Sequence, residues 1–161
     1  MENRERLRQV CNAMNLSTLS GLGLARATGC EITRGPRGLI LARFYRPTLP
    51  KAGAFTVGNV IFFRPSLSGA DPRRELLSHE ESHATQYAWC LGLPFLPLYF
   101  LAAGYSLLRT GDPASRNVFE RGANLQAGGY LERPTRKLLP IIAARLRRHP
   151  AATPTSSGDT Q

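Results

Sequence analysis

Lysine is almost missing from this sequence: Lys51 and Lys137 are the only two, although Lys and Arg together number 21. The net charge of +10 is therefore carried by arginines spread from Arg4 to Arg148 rather than gathered into a patch. No basic stripe interleaved with aromatics and no recognised nucleic-acid motif accompanies them, so no nucleic-acid partner is expected. Cysteine is scarce as well. Cys11, Cys30 and Cys90 are odd in number, far apart and without a Cys-x-x-Cys pairing, which argues against a disulfide framework and against a thiolate zinc site. A reducing, cytoplasmic compartment is the simplest expectation. The opening Met-Glu-Asn-Arg-Glu-Arg-Leu-Arg offers neither an apolar run nor a small-residue cleavage site, so no secretory signal is read there.

What remains is the composition of an ordinary globular chain, 42% hydrophobic and 20% charged over 161 residues, enough for one core and one site. Residues 1–15 read as an N-terminal amphipathic helix, with Leu7, Val10, Cys11 and Met14 at helical spacing and expected to cap the core. A Gly- and Ser-punctuated stretch from Asn15 to Gly29 holds a second short helix. The period then changes to that of strands, in Gly38–Phe44 and again in Ala54–Val57 and Val60–Phe63. Pro47, Pro50 and Gly53 interrupt the connection, and Gly58-Asn59 marks a tight turn or a bulge, which predicts a small antiparallel sheet.

From Asp71-Pro72 the pattern becomes helical: Asp71 suits a cap, Pro72 the first helical position, and the segment to about Cys90 lacks internal Gly or Pro. Gly92, Pro94 and Pro97 end that helix, a second apolar helix is expected over Leu98–Arg109, and Gly111-Asp112-Pro113 forms the next turn. A further helix is expected from Ala114 to about Gln126. A basic helical segment broken at Pro140 runs to Arg148, and Ala151–Gln161 has the composition of a disordered tail. The whole predicts an α+β chain in which residues 16–150 form one metal-binding domain.

The chemistry is concentrated in His79-Glu80-Glu81-Ser82-His83, which uses two of the three histidines in the chain. Residues four apart lie one turn above each other on a helix, so both imidazoles can converge on one divalent ion, with zinc the expected metal. A catalytic zinc site needs a third protein ligand and keeps a fourth position for water, whose proton a neighbouring carboxylate such as Glu80 can accept. Glu120 is the expected third ligand, because Gly122 and Ala123 permit close approach of its helix and Phe119 can bury beside it. Asp112, in a turn, and His149, in the basic terminal segment, are the weaker candidates. The plain alternatives are incidental histidines on a surface helix and an ion pair of Glu120 with Arg116 or Arg121.

His79-Glu80-x-x-His83 followed by Glu120-x-x-Ala123 resembles the gluzincin metallopeptidases. The longer run through Ala84-Thr85-Gln86 is similar to the predicted zincin domain of contractile-injection-system core proteins. The resemblance spans about residues 54–130. It implies a zincin-like fold with the motif helix central, Zn2+ held by His79, His83 and Glu120, Glu80 as general base, and a peptide or protein substrate. It departs at Asn124, where gluzincins often carry an Asp that orients a histidine. It also implies that a strand near the metal helix, here Ala54–Phe63, receives extended substrate, with a purely structural hairpin as the alternative. Tyr87, Tyr105 and Tyr130 are candidates to stabilise an oxyanion, or simply packed tyrosines.

Ala88–Leu108 carries no charge and is long enough for a membrane span. A single crossing would separate Glu120 from the histidines by about 30 Å, so a helical hairpin, buried or in peripheral contact with a membrane through Phe95–Leu107, is preferred. A catalytically inactive, zinc-stabilised interaction module is the rival function, associated with a membrane or a larger assembly.

Overall fold

The computed structural model describes residues 3–69 and 73–136. Two helices open the chain, α1 (Asn3–Met14) and α2 (Ser17–Ala27), followed by β1 (Glu31–Arg34), β2 (Ile40–Arg43), β3 (Ala54–Val57) and β4 (Val60–Phe63). The helices α3 (Pro65–Ser68), α4 (Arg74–Trp89), α5 (Phe95–Thr110) and α6 (Val118–Gly122) complete the described part. The fold is α+β, as the sequence predicts. The expected cap at Asp71-Pro72, the basic segment beyond Arg136 with His149, and the 151–161 tail lie outside the described residues.

The sheet has the order β1-β2-β4-β3 and is mixed rather than antiparallel throughout. β2 pairs with β4 in parallel, Leu41 opposite Ile61, while β1 with β2 and β3 with β4 are antiparallel. The difference arises because the chain leaves β2, passes to the edge as β3 and returns between the two. β4 is thereby covered on both faces, which is why Val60–Phe63 is an unbroken apolar run. Alternate side chains serve two cores. Ile61 and Phe63 join Leu39, Leu41, Leu77 and Ala84 against α4, whereas Val60 and Phe62 join Ala25, Ala42 and Tyr45 on the α2 side. Gly58, in the two-residue turn at φ 62°, has no room for a side chain, since a Cβ there would lie 2.4 Å from the Thr18 nitrogen.

The expected inward face of α1 is inverted. Leu7 is 64% and Met14 79% exposed, while Arg8 and Asn12 are buried at 5% and 0%. The reason is the surface that α1 meets, which is polar. Arg8 donates to Glu81 Oε1 at 2.5 Å and to the Arg37 carbonyl at 2.6 Å, and Asn12 Nδ2 donates to the Ala84 carbonyl at 2.8 Å and to Asn59 Oδ1 at 3.0 Å. Burying those acceptors against leucine would leave them without partners, at a cost of about 1–3 kcal/mol each.

The helix expected over Ala114–Gln126 contracts to α6. Asp112 Oδ1 accepts from the Ala114 and Ser115 nitrogens, and Asn117 Oδ1 accepts from the Phe119 nitrogen. These local bonds give the backbone an alternative to helix before residue 118. The uncharged stretch 88–108 divides into the end of α4, a turn around Gly92 and α5, and no helix among the described residues is long and apolar enough to cross a membrane.

Candidate metal centre

α4 sets His79, Glu80 and His83 along one buried face, and α6 brings Glu120 to them. His79 Nε2 and His83 Nε2 lie 3.1 Å apart, and Glu120 Oε2 is 3.3 Å and 3.7 Å from them. All three side chains are buried, Glu120 to 2% exposure. Donor atoms about 2.0–2.1 Å from a tetrahedral zinc ion stand about 3.3 Å from one another, close to the spacing found here. Glu120 does not pair with either neighbouring arginine. Arg116 and Arg121 instead reach Glu132, at 3.1 Å and 2.9 Å.

The ring nitrogens that turn away from this point are already committed. His79 Nδ1 donates to the carbonyls of Ala123 and Asn124, each at 3.0 Å, and His83 Nδ1 donates to Gln86 Oε1 at 2.8 Å. The Gln86 amide is oriented in turn by its Nε2, which donates to the Phe119 carbonyl at 2.9 Å. With both Nδ1 atoms protonated, neutral His79 and His83 present bare lone pairs at Nε2. Glu120 Oε2 meets them as a buried oxygen with no hydrogen-bond partner, while Oε1 accepts from the Tyr99 phenol. Three lone pairs facing one another in a buried place call for a cation, and the residues fit a divalent metal ion.

The electrostatics agree. When protons stand at Nε2 in place of a metal, burial raises the Glu120 pKa, yet the bonds then donated by His79 and His83 and the His83 charge outweigh that and hold it down at about 2. Burial lowers the His79 pKa, but the hydrogen bond to Glu120 and the charges of Glu80 and Glu120 leave it raised. The pocket thus attracts positive charge, whether proton or metal.

Two adjacent glutamates follow His79, and they take opposite sides. Glu80 is buried on the site side, where Thr56 of β3 donates to its Oε2 at 2.7 Å. Burial pushes its pKa up, opposed by the His83 charge and the Thr56 bond. Glu81 turns away to Arg8 and to Arg37 Nε at 2.6 Å, so that these arginines, overcoming its burial, hold its pKa down.

The trio opens on a mostly apolar cleft of about 630 Å³ between the β3 edge and α5, lined among others by Leu49, Phe55, Phe95, Tyr99, Phe100 and Tyr130. Tyr130 faces the cleft with its ring centroid 6.4 Å from that of His79, and burial with the Glu120 charge pushes its phenol up to about 12. Tyr87 is fully buried, its ring 4.4 Å from Phe95, and Tyr105 lies on the exposed side of α5. Tyr99, the phenol in contact with Glu120, stands outside the three tyrosines singled out from the sequence. Its spacing four residues after Phe95 on α5 was the available signal.

Residues 48–89 match a family model described as the eCIS core domain. The matched part is about a quarter of the chain and holds the β3–β4 hairpin and α4, including Thr56, His79, Glu80 and His83. Glu120 and Tyr99 lie beyond it. The eCIS core similarity relates this segment to contractile injection systems. No curated protein and no solved structure matches the chain.

Proposed function

We propose that the chain is a zinc-dependent, metallopeptidase-like protein that hydrolyses peptide bonds, with His79, His83 and Glu120 as metal ligands and Glu80 as general base. The observation that carries this reading is the convergence of two imidazole lone pairs and one unpartnered carboxylate oxygen at 3.1–3.7 Å, beside a second buried carboxyl. Two imidazoles with one carboxylate suit zinc. Bound there, zinc supplies a Lewis acid that lowers the pKa of water to about 7. Glu80 accepts the proton of the attacking water and returns it to the departing amine. Thr56 occupies one Glu80 oxygen and so fixes the direction of the other.

The substrate reading rests on the sheet edge and the cleft. Val57 and Val60 close the hairpin, and the Arg64 nitrogen donates to the Gly53 carbonyl at 3.0 Å, so the intervening Ala54 and Thr56 turn their main-chain groups away from β4. An extended peptide pairs along that open edge, and the apolar cleft takes a bulky apolar side chain next to the bond cut. The eCIS core similarity supports a protein of a contractile injection system as substrate or partner. Glu80→Gln is expected to leave zinc content unchanged and to reduce peptide hydrolysis by about 10²–10⁴-fold. Equal hydrolysis by the zinc-loaded variant contradicts the mechanism.

A second reading, an interaction module without turnover, draws on α5. Leu98, Phe100, Leu101, Tyr105, Leu107 and Leu108 are exposed on a helix that carries no charge before Arg109. A helix apolar around most of its circumference is stable when something covers it, and with a net charge of +10 an anionic bilayer is the candidate for peripheral contact through Phe95–Leu107. Flotation with vesicles of anionic phospholipid is expected to carry the protein upward, and Leu101→Gln with Leu108→Gln to abolish this. Wild-type protein that stays in the dense fraction contradicts membrane contact.

A further inference from the structure

Tyr99 is the one polar side chain in the first ten residues of α5, Phe95–Gly104. Its ring is wedged against the site, with centroids 6.1 Å from His83, 5.7 Å from Phe95 and 6.3 Å from Phe119. Its hydroxyl donates to Glu120 Oε1. The other carboxylate oxygen, Oε2, is buried, has no hydrogen-bond partner and faces both Nε2 atoms. The two oxygens of one carboxylate are thus put to different uses.

That division matters because a carboxylate can bind a metal through one oxygen or through both. Two-oxygen binding by Glu120, added to two imidazoles, fills the position that a hydrolytic site keeps open for water. A hydrogen bond to one oxygen, from a donor that packing holds still, removes that oxygen from competition. We propose that Tyr99 is a positioning residue that restricts Glu120 to one-oxygen ligation through Oε2 and so keeps a coordination position open. The proposal rests on the metal reading given above and adds to it a residue that acts through Glu120 alone.

The test uses the full chain loaded with Co2+, whose visible absorption is strong with four ligands and weaker with five. Wild-type protein is expected to take up about one Co2+ per chain and to give strong bands. Tyr99→Phe is expected to keep that stoichiometry while its band intensity falls by at least about twofold, as Oε1 turns onto the metal. Phe119→Leu, which changes one neighbour of the Tyr99 ring while His83, Phe95 and the phenol remain, is expected to retain the wild-type spectrum, and a fall equal to that of Tyr99→Phe contradicts a role specific to the phenol. Identical spectra for Tyr99→Phe and wild type overturn the role of Tyr99 and leave the metal site standing. Absence of Co2+ uptake by the wild type overturns the metal reading, and this role with it. Should Tyr99→Phe fail to fold, infrared difference spectra of the wild type with and without Co2+ decide the matter. The separation of the two carboxylate stretches is expected to widen on binding, as one-oxygen ligation requires, and narrowing contradicts the proposal.

Discussion

His79 is held on three sides. The Ala123 and Asn124 carbonyls take Nδ1, Glu120 faces Nε2, and the main chain of Gly128 passes so close that a Cβ there would lie 2.5 Å from His79 Cε1. Gly128→Ala therefore forces the ring or the 124–129 turn to move. It is expected to weaken zinc binding by about 10–100-fold, the range found when the support of a ligand is disturbed. Metal-free protein should keep its helical circular dichroism, and competition with a chromophoric chelator measures the affinity. The convergence of these side chains was legible in the sequence because four-residue spacing projects His79 and His83 from one helix face. Their supports were not, since a carbonyl from residue 123 or 124 has no side-chain signature. Asn124, which departs from the gluzincin pattern, orients His79 all the same, through its backbone oxygen.

Among the elements, the turn before α6 decides where Glu120 stands, and Asp112 holds that turn. Its Oδ1 accepts from the Ala114 and Ser115 nitrogens and from the Ser115 hydroxyl. Desolvation is the largest single influence and raises its pKa, but those bonds and the nearby Arg133 together outweigh it and lower the pKa from the usual 3.8. A carboxylate with a depressed folded-state pKa contributes stability above its unfolded value and loses it as the pH falls through the folded value. Asp112→Ala is accordingly expected to cost about 1 kcal/mol at pH 7. In urea unfolding at a series of pH values, the gap from wild type should narrow as the pH falls below about 4. A gap constant from pH 7 to pH 3 contradicts this. Helix existence was readable from periodicity for α1 and from Gly, Ser and Pro punctuation for α2, α4 and α5, and the β3–β4 hairpin from Gly58-Asn59. Burial direction was not readable for α1, because whether Arg8 and Asn12 or Leu7 and Met14 face inward depends on the polar back of α4. Parallel pairing of β2 with β4 was equally hidden, since an unbroken apolar strand does not specify the direction of its neighbour.

For the molecule as a whole, the sheet, α4 and α6 form a frame around one buried cluster, with the cleft opening on the β3 edge and α5. The sequence conveyed the α+β class and the residues that meet. It did not convey the cleft, which is built from Leu49, Phe95 and Tyr130, residues far apart in the chain and joined only by folding. A cation that binds this frame and not the unfolded chain stabilises it, by about 2.7 kcal/mol at a hundredfold excess over the dissociation constant. Elemental analysis of purified wild type, His79→Ala and Glu120→Ala reads the metal content of the cluster without an intermediate. About one zinc per wild-type chain is expected, lost from both variants, with a thermal midpoint that falls on chelation in the wild type alone. Wild-type protein without zinc after exposure to it, or a Glu120→Ala variant that holds zinc as tightly as the wild type, contradicts the account.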